Sequence, residues 1–128
     1  MFALLGALFL AGCATTQVQD TPENIVRQRA KARWDALVAG EKEKAYQFLS
    51  PSYRALRDFN YYQRTISGGL AQWKSADVIG VQCKPDACTA RIRIEFQILM
   101  KGYGNALNTH YDESWILEKG DWWFYERP

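Results

Sequence analysis

Three cysteines, one histidine and the acidic residues beside it are the groups of this chain whose types and spacing could do chemistry. Cys83 and Cys88 flank Lys84-Pro85-Asp86-Ala87, a turn-forming insert between a run containing Val78, Ile79 and Val81 and an alternating run over 90–98. Facing cysteines on an antiparallel pair have Cα separations that a disulfide spans, and closing so short a loop stabilises a fold by about 2 kcal/mol on the chain-entropy model. A redox-active pair usually has two intervening residues and a helix, and zinc needs more ligands than two cysteines and His110 provide. A disulfide-closed hairpin is therefore expected. His110 and Asp112 stand two apart on an expected strand, hence on one face, where a base and its orienting carboxylate would act together. Asp112 or Glu113 alone would abstract a proton if burial raised its pKa. The plainer reading puts His110, Asp112 and Ser114 on the wet face of a strand whose buried face carries Tyr111 and Trp115, and it is favoured. Catalytic signatures such as GxSxG, HExxH, a phosphate-binding glycine loop or a cysteine metal cluster do not occur, and the sequence implies no metal and no cofactor.

The third cysteine, Cys13, follows an apolar segment over 2–10 and two small residues. Leu10-Ala11-Gly12-Cys13 resembles the lipobox of bacterial lipoprotein signals, although no basic segment precedes the apolar core. The resemblance implies cleavage before Cys13, a diacylglyceryl group on its sulfur and, in many bacteria, a third acyl chain on its amine. Each buried methylene contributes about 0.8 kcal/mol, so several chains hold firmly what one holds reversibly. Ala14 stands where inner-membrane retention signals carry Asp, which implies the outer membrane, facing the periplasm. An oxidising compartment agrees with a Cys83–Cys88 bridge and accounts for the odd cysteine. The expected organisation is a signal over 1–12, an acylated cysteine and linker over 13–20 reaching at most about 25 Å, and one domain over 21–128.

That domain has to position these groups. Its 16 basic and 14 acidic residues are spread along the chain, so no global field draws it to nucleic acid. No apolar run is long enough to cross a bilayer as a helix. Thr21 is an expected N-cap, with Pro22 at the first helical position and a stop at Gly40. Val26, Ala30, Trp34, Leu37 and Val38 line one face of that helix. Arg27, Arg29, Lys31 and Arg33 are read as a solvated face, with anionic head groups as the less favoured alternative. A second helix is expected over 41–49, presenting Ala45, Phe48 and Leu49, and short helical pieces over 51–56 and 60–66, ended by Ser67-Gly68-Gly69. Strands are expected over 73–83, 88–100, 107–118 and 122–125. Ala90, Ile92, Ile94, Phe96 and Ile98 alternate with polar residues, which predicts one buried and one wet sheet face. Helices first and sheet afterwards predict an α+β fold, with N-terminal helices packed on a curved, mainly antiparallel sheet of about four strands.

Arg33-Trp34-Asp35-Ala36-Leu37 through Gly40, then Lys44 to Pro51, and a Trp-rich final hairpin over 114–125 resemble the superfamily named after nuclear transport factor two, the cystatin-like α+β cones. The resemblance covers nearly all of 21–128 and rests on size and hydrophobicity patterns rather than chemical signatures. It implies a cone whose mouth offers a pocket; Tyr46, Tyr53, His110 and Asp112 are the polar residues expected to reach it, with Trp115 and Trp123 as aromatic lining. Members of the superfamily include isomerases, dehydratases, small-molecule binders and noncatalytic assembly domains, so the fold settles no chemistry. In the last strand Trp122 and Phe124 point one way and Trp123 and Tyr125 the other; such a two-sided strand is expected to be central or part of an interface. The leading expectation is a noncatalytic interaction or assembly lipoprotein, with a membrane partner through its lipid and an envelope protein or a second copy through its surface. A small-ligand module using the cone cavity is the alternative, and an isomerase or hydrolase using His110 and Asp112 the least favoured.

Overall fold

The structure, a computed structural model, describes residues 12–13, 20–66, 69–102 and 104–128. The signal segment, the linker and the Ser67-Gly68 break therefore lie wholly or largely outside the described residues, while Cys13 is an exposed free thiol. Four helices, α1 (Pro22–Val38), α2 (Lys42–Tyr46), α3 (Pro51–Leu56) and α4 (Phe59–Thr65), precede four strands, β1 (Ala71–Cys83), β2 (Ala87–Ile98), β3 (Leu107–Glu118) and β4 (Asp121–Phe124). The strands form one antiparallel sheet in sequence order, and α1 lies across its concave face, so the fold is the expected α+β arrangement of helices on a curved sheet.

Local signals set the helix ends. The Thr21 hydroxyl accepts from the Asn24 N–H, and Pro22 opens α1. At its other end Gly40 takes φ +77°, the left-handed region open to glycine, so its N–H reaches the Leu37 carbonyl and the Glu41 N–H the Ala36 carbonyl. The second helix is shorter than the sequence predicts. Beyond Tyr46 a tighter turn follows, with the Phe48 N–H on the Ala45 carbonyl and the Leu49 N–H on that of Tyr46, and at Leu49 the chain bridges parallel to β4: the Phe124 N–H donates to the Phe48 carbonyl and the Ser50 N–H to the Phe124 carbonyl. Pro51 disfavours a helical Ser50, and the open edge of β4 supplies the hydrogen bonds that a helix would have given. Of the two placings expected for β4, the central one is overturned: it is an edge strand covered by this segment.

Curvature originates in β1. Its register against β2 slips between Trp73 and Ser75 and again between Val78 and Gly80, and each extra residue bends and twists the strand. Cys83 pairs directly with Cys88 at the hairpin end, and a disulfide joins them. Inside the curve lie Val26, Ala30, Leu37, Ile92, Ile94, Trp115, Trp122 and Phe124 as a continuous core. Outside it, the cross-strand pairs Arg91–Asp112 and Arg93–Asp77 face water.

Candidate functional site

The basic residues of α1 do not form one solvated face. Arg27 donates to the Val78 carbonyl of β1 and Lys31 pairs with Asp35 one turn on. The Arg29 guanidinium stacks on Phe48 and Trp123, at 5.3 and 4.8 Å from the ring centroids. Arg33 is buried, because it occupies the 26, 30, 33, 37 stripe that the helix turns toward the sheet. Facing it from β3 is Glu113, which the period of two puts on the same side as Tyr111 and Trp115. Glu113 lies opposite Ala90 of β2, whose small side chain leaves room for the helix residues to approach.

The result is a fully buried carboxylate held by three donors. Arg33 Nη1 donates to Glu113 Oε1 at 2.5 Å, Trp34 Nε1 to the same oxygen at 2.6 Å, and Trp115 Nε1 to Oε2 at 3.1 Å. The Arg33 guanidinium also lies 3.8 Å from the Phe124 ring centroid. Burial pushes the Glu113 carboxyl up, and Arg33 and the two indole N–H groups oppose that rise. Burial raises the Tyr62 and Tyr111 phenols as well, again opposed by Arg33.

Above this pair opens a cavity of about 170 Å³. Arg33, Trp34 and Leu37 of α1 form one wall, Tyr62, Thr65 and Ile66 at the end of α4 another, and Trp73, Tyr111, Phe124 and Glu126 the sheet side. Trp34 and Trp73 meet edge to face at 5.4 Å. Two polar atoms at this site, Arg33 Nε and the Tyr62 hydroxyl, are buried and make no well-formed hydrogen bond, although the Arg33 side chain stands close enough to Tyr62 to oppose the rise of its phenol. Such atoms carry a desolvation cost of about 1–3 kcal/mol each, which a ligand or an ordered water can relieve.

The other candidates from sequence lie elsewhere. His110 and Asp112 share a face, but it is the outer one. Asp112 accepts both Arg91 Nε and Arg91 Nη2, at 2.8 and 2.9 Å, so Arg91 rather than His110 orients it. That contact holds its carboxyl below the usual carboxylate range. Tyr111 is directed inward yet remains half exposed at the cavity mouth. None of Tyr46, Tyr53, Trp115 and Trp123 lines the cavity. Tyr46 donates to the Arg57 carbonyl and packs on Phe59 and Tyr62, Tyr53 is the buried residue of α3, Trp115 is behind Glu113, and Trp123 lies beneath Arg29 and Arg54. The sequence reading put Arg33 on a solvated face, although its place on the apolar stripe signals the inward position it takes. Among the described residues, no group of three or more His, Cys, Asp or Glu gathers as metal ligands, and no helix is long and apolar enough to cross a membrane.

No protein-family model and no curated protein matches this chain in sequence. Solved structures do resemble it. A SEC-C motif containing protein from Rhodopseudomonas palustris superposes with a TM-score of 0.58 at 18% identity, covering 77% of this chain and 73% of that one. A second, from Psychrobacter arcticus, gives 0.60 at 13% identity, over 98% of this chain and 75% of that one. At these identities the likeness is one of fold.

Proposed function

We propose that the chain is a lipid-anchored envelope lipoprotein whose cone cavity binds a small ligand without catalysing a reaction on it. The observation that carries the binding half is Arg33, a buried cation that lines the cavity and keeps its Nε without a hydrogen-bond partner. A ligand oxygen placed there would relieve that cost, and Trp34, Trp73 and Tyr111 would enclose an apolar body. Glu113 already balances the charge of Arg33, and Glu126 stands in the lining, so the fit is to a neutral acceptor, a carbonyl or ether oxygen, rather than to a carboxylate. The volume of about 170 Å³ is below that of drug-sized sites, about 300–1,000 Å³, and selects a small molecule. Of the bases considered from the sequence, Glu113 is held by three donors and His110 and Asp112 are on the other face of the sheet, which leaves Glu126 as the one carboxylate in the lining outside the buried pair. The anchor half rests on Leu10-Ala11-Gly12-Cys13 and on the disulfide, which suits an oxidising compartment.

Native mass spectrometry of the full-length chain, extracted in mild detergent from its own envelope, tests both halves. Acyl mass that Cys13→Ala removes is expected at the anchor; an unmodified Cys13 overturns it. A small noncovalent adduct that Thr65→Trp removes by filling the cavity mouth is expected at the site; no adduct, or one indifferent to Thr65→Trp, overturns binding there. One observation favours a second reading, as an interaction domain. Leu70, Leu99, Met100 and Leu107 gather exposed at one end of the sheet, where the Leu99 N–H donates to the Leu70 carbonyl and Leu107 pairs with Phe96. A dimer mass that Leu99→Asp abolishes would support it.

A further inference from the structure

Away from the cavity, the turn between α3 and α4 combines three features that the ligand site does not use. Arg54, Arg57 and Arg64 line a shallow depression of about 390 Å³ together with Leu56, Tyr61 and a single acid, Asp58. Leu56 is 68% exposed, the most exposed of the large apolar side chains among the described residues. The Asp58 carboxylate caps α4, accepting the Tyr61 N–H at 2.8 Å, and its single charge offsets one of the three arginines in the lining.

Two of the guanidinium groups, those of Arg54 and Arg57, are held on aromatic faces. Arg57 lies 4.4 Å from the Tyr61 ring centroid, and its buried Nε has no hydrogen-bond partner. Arg54 donates to the Leu49 carbonyl and to Gln47 Oε1, both at 3.1 Å, and sits 5.4 Å from the Trp123 ring. Arg29 of α1 lies 4.8 Å from that same ring, so the basic surface continues across Trp123 onto α1. Arginines fixed beside aromatic rings around a projecting leucine match the layered chemistry of a membrane surface, where phosphates lie outermost, aromatic rings suit the headgroup level and aliphatic groups the acyl boundary.

We propose that this face, Leu56 with Arg54, Arg57 and Arg64, docks on an anionic phospholipid bilayer. Charge complementarity selects anionic over zwitterionic lipid, and the exposed leucine selects a bilayer over a soluble phosphate, which would offer it nothing. The proposal is independent of the cavity reading and does not require acylation of Cys13. It transfers the membrane-facing role considered for the first helix to a neighbouring surface that α1 joins only through Arg29.

The test uses the full chain as Cys13→Ser, Leu56→Cys, with an environment-sensitive fluorophore on position 56 and the disulfide intact. A matching chain labelled at Ile79, exposed on β1, reports whole-molecule adsorption. With vesicles of phosphatidylglycerol in phosphatidylcholine, the position-56 emission should shift to the blue while position 79 stays water-like. High salt should abolish the shift, and Arg57→Gln with Arg64→Gln should lower partitioning about tenfold or more. An equal shift at both positions, an equal shift on pure phosphatidylcholine, or no shift on anionic vesicles overturns the proposal. A response to a phosphorylated peptide without one to vesicles overturns it too, in favour of a protein partner.

Discussion

Asp112 and Glu113 are neighbours in the chain, carry the same charge and each bind an arginine, yet they occupy opposite dielectric surroundings. On the outer face, Asp112 and Arg91 are 47% and 60% exposed; on the inner face, Glu113 and Arg33 are 0% and 4% exposed. Water already solvates the outer pair, so its two hydrogen bonds replace bonds to solvent and gain little. The inner pair gave up its hydration on folding, and each partner now depends on the other. The direction of titration follows, since Arg91 pulls the Asp112 carboxyl down while burial pushes that of Glu113 up. The same pairing thus decorates one surface of β3 and organises the cavity on the other.

The largest effect should come from breaking the inner pair. Glu113→Ala leaves Arg33 charged and buried without a carboxylate and leaves both indole N–H groups without an acceptor, and should cost about 3–5 kcal/mol in urea unfolding. Arg33→Met combined with Glu113→Leu removes both charges and should cost less than Glu113→Ala alone, because no orphaned ion remains. If the double variant were the less stable of the two, the pair would contribute more than mutual neutralisation, and the desolvation argument would be wrong.

A pH series sharpens the same division. Tyr62 and Tyr111 face the inner pair and have raised phenols, and Tyr53, the buried residue of α3, is pushed up to about 12 by burial first and by the Glu126 carboxylate next. A phenol whose pKa is higher folded than unfolded contributes stability that is complete below its unfolded value of about 10 and is lost as pH rises through the folded value. Between pH 10 and about 12 the chain should therefore lose stability in urea unfolding as Tyr53 ionises, with Tyr62 and Tyr111 adding to the loss. In a phenolate absorbance titration these three should ionise above the value of about 10 of a free tyrosine, and their ionisation at that value would contradict the burial assigned to them.

Most of this architecture was legible in the sequence where one local rule acted alone. Thr21-Pro22 and Gly40 bound α1, Ser50-Pro51 opens α3, and the alternation over 90–98 gives β2, because capping and period are properties of neighbouring residues. The segment 48–50 misled for the opposite reason: its fate depends on the open edge of β4, some 75 positions away, which no window contains. The site divides the same way. Period two puts Glu113 on the inner face with Trp115, whereas Arg33, read on a solvated face, belongs by spacing to the buried stripe 26, 30, 33, 37. That the two meet is a tertiary fact, and a charged residue read on its own defaults to solvent. The aromatic residues misled by abundance, since burial, stacking and cavity lining draw on one residue type and the sequence does not separate them.

The smallest effect should be that of removing the outer pair. Asp112→Ala deletes a bidentate contact whose geometry is as good as any in the chain, yet both partners remain open to water and to screening ions. Thermal unfolding should not distinguish the variant from its parent, and salt should affect both alike. His110→Ala on the same face should leave any ligand bound in the cavity undisturbed, because the sheet separates the two. The contrast with Glu113→Ala is then the decisive quantity. Should Asp112→Ala destabilise the chain as strongly, the outer face would have to be covered by something other than water, and a partner seated on Arg91, Arg93 and their carboxylates would become the leading explanation for this sheet.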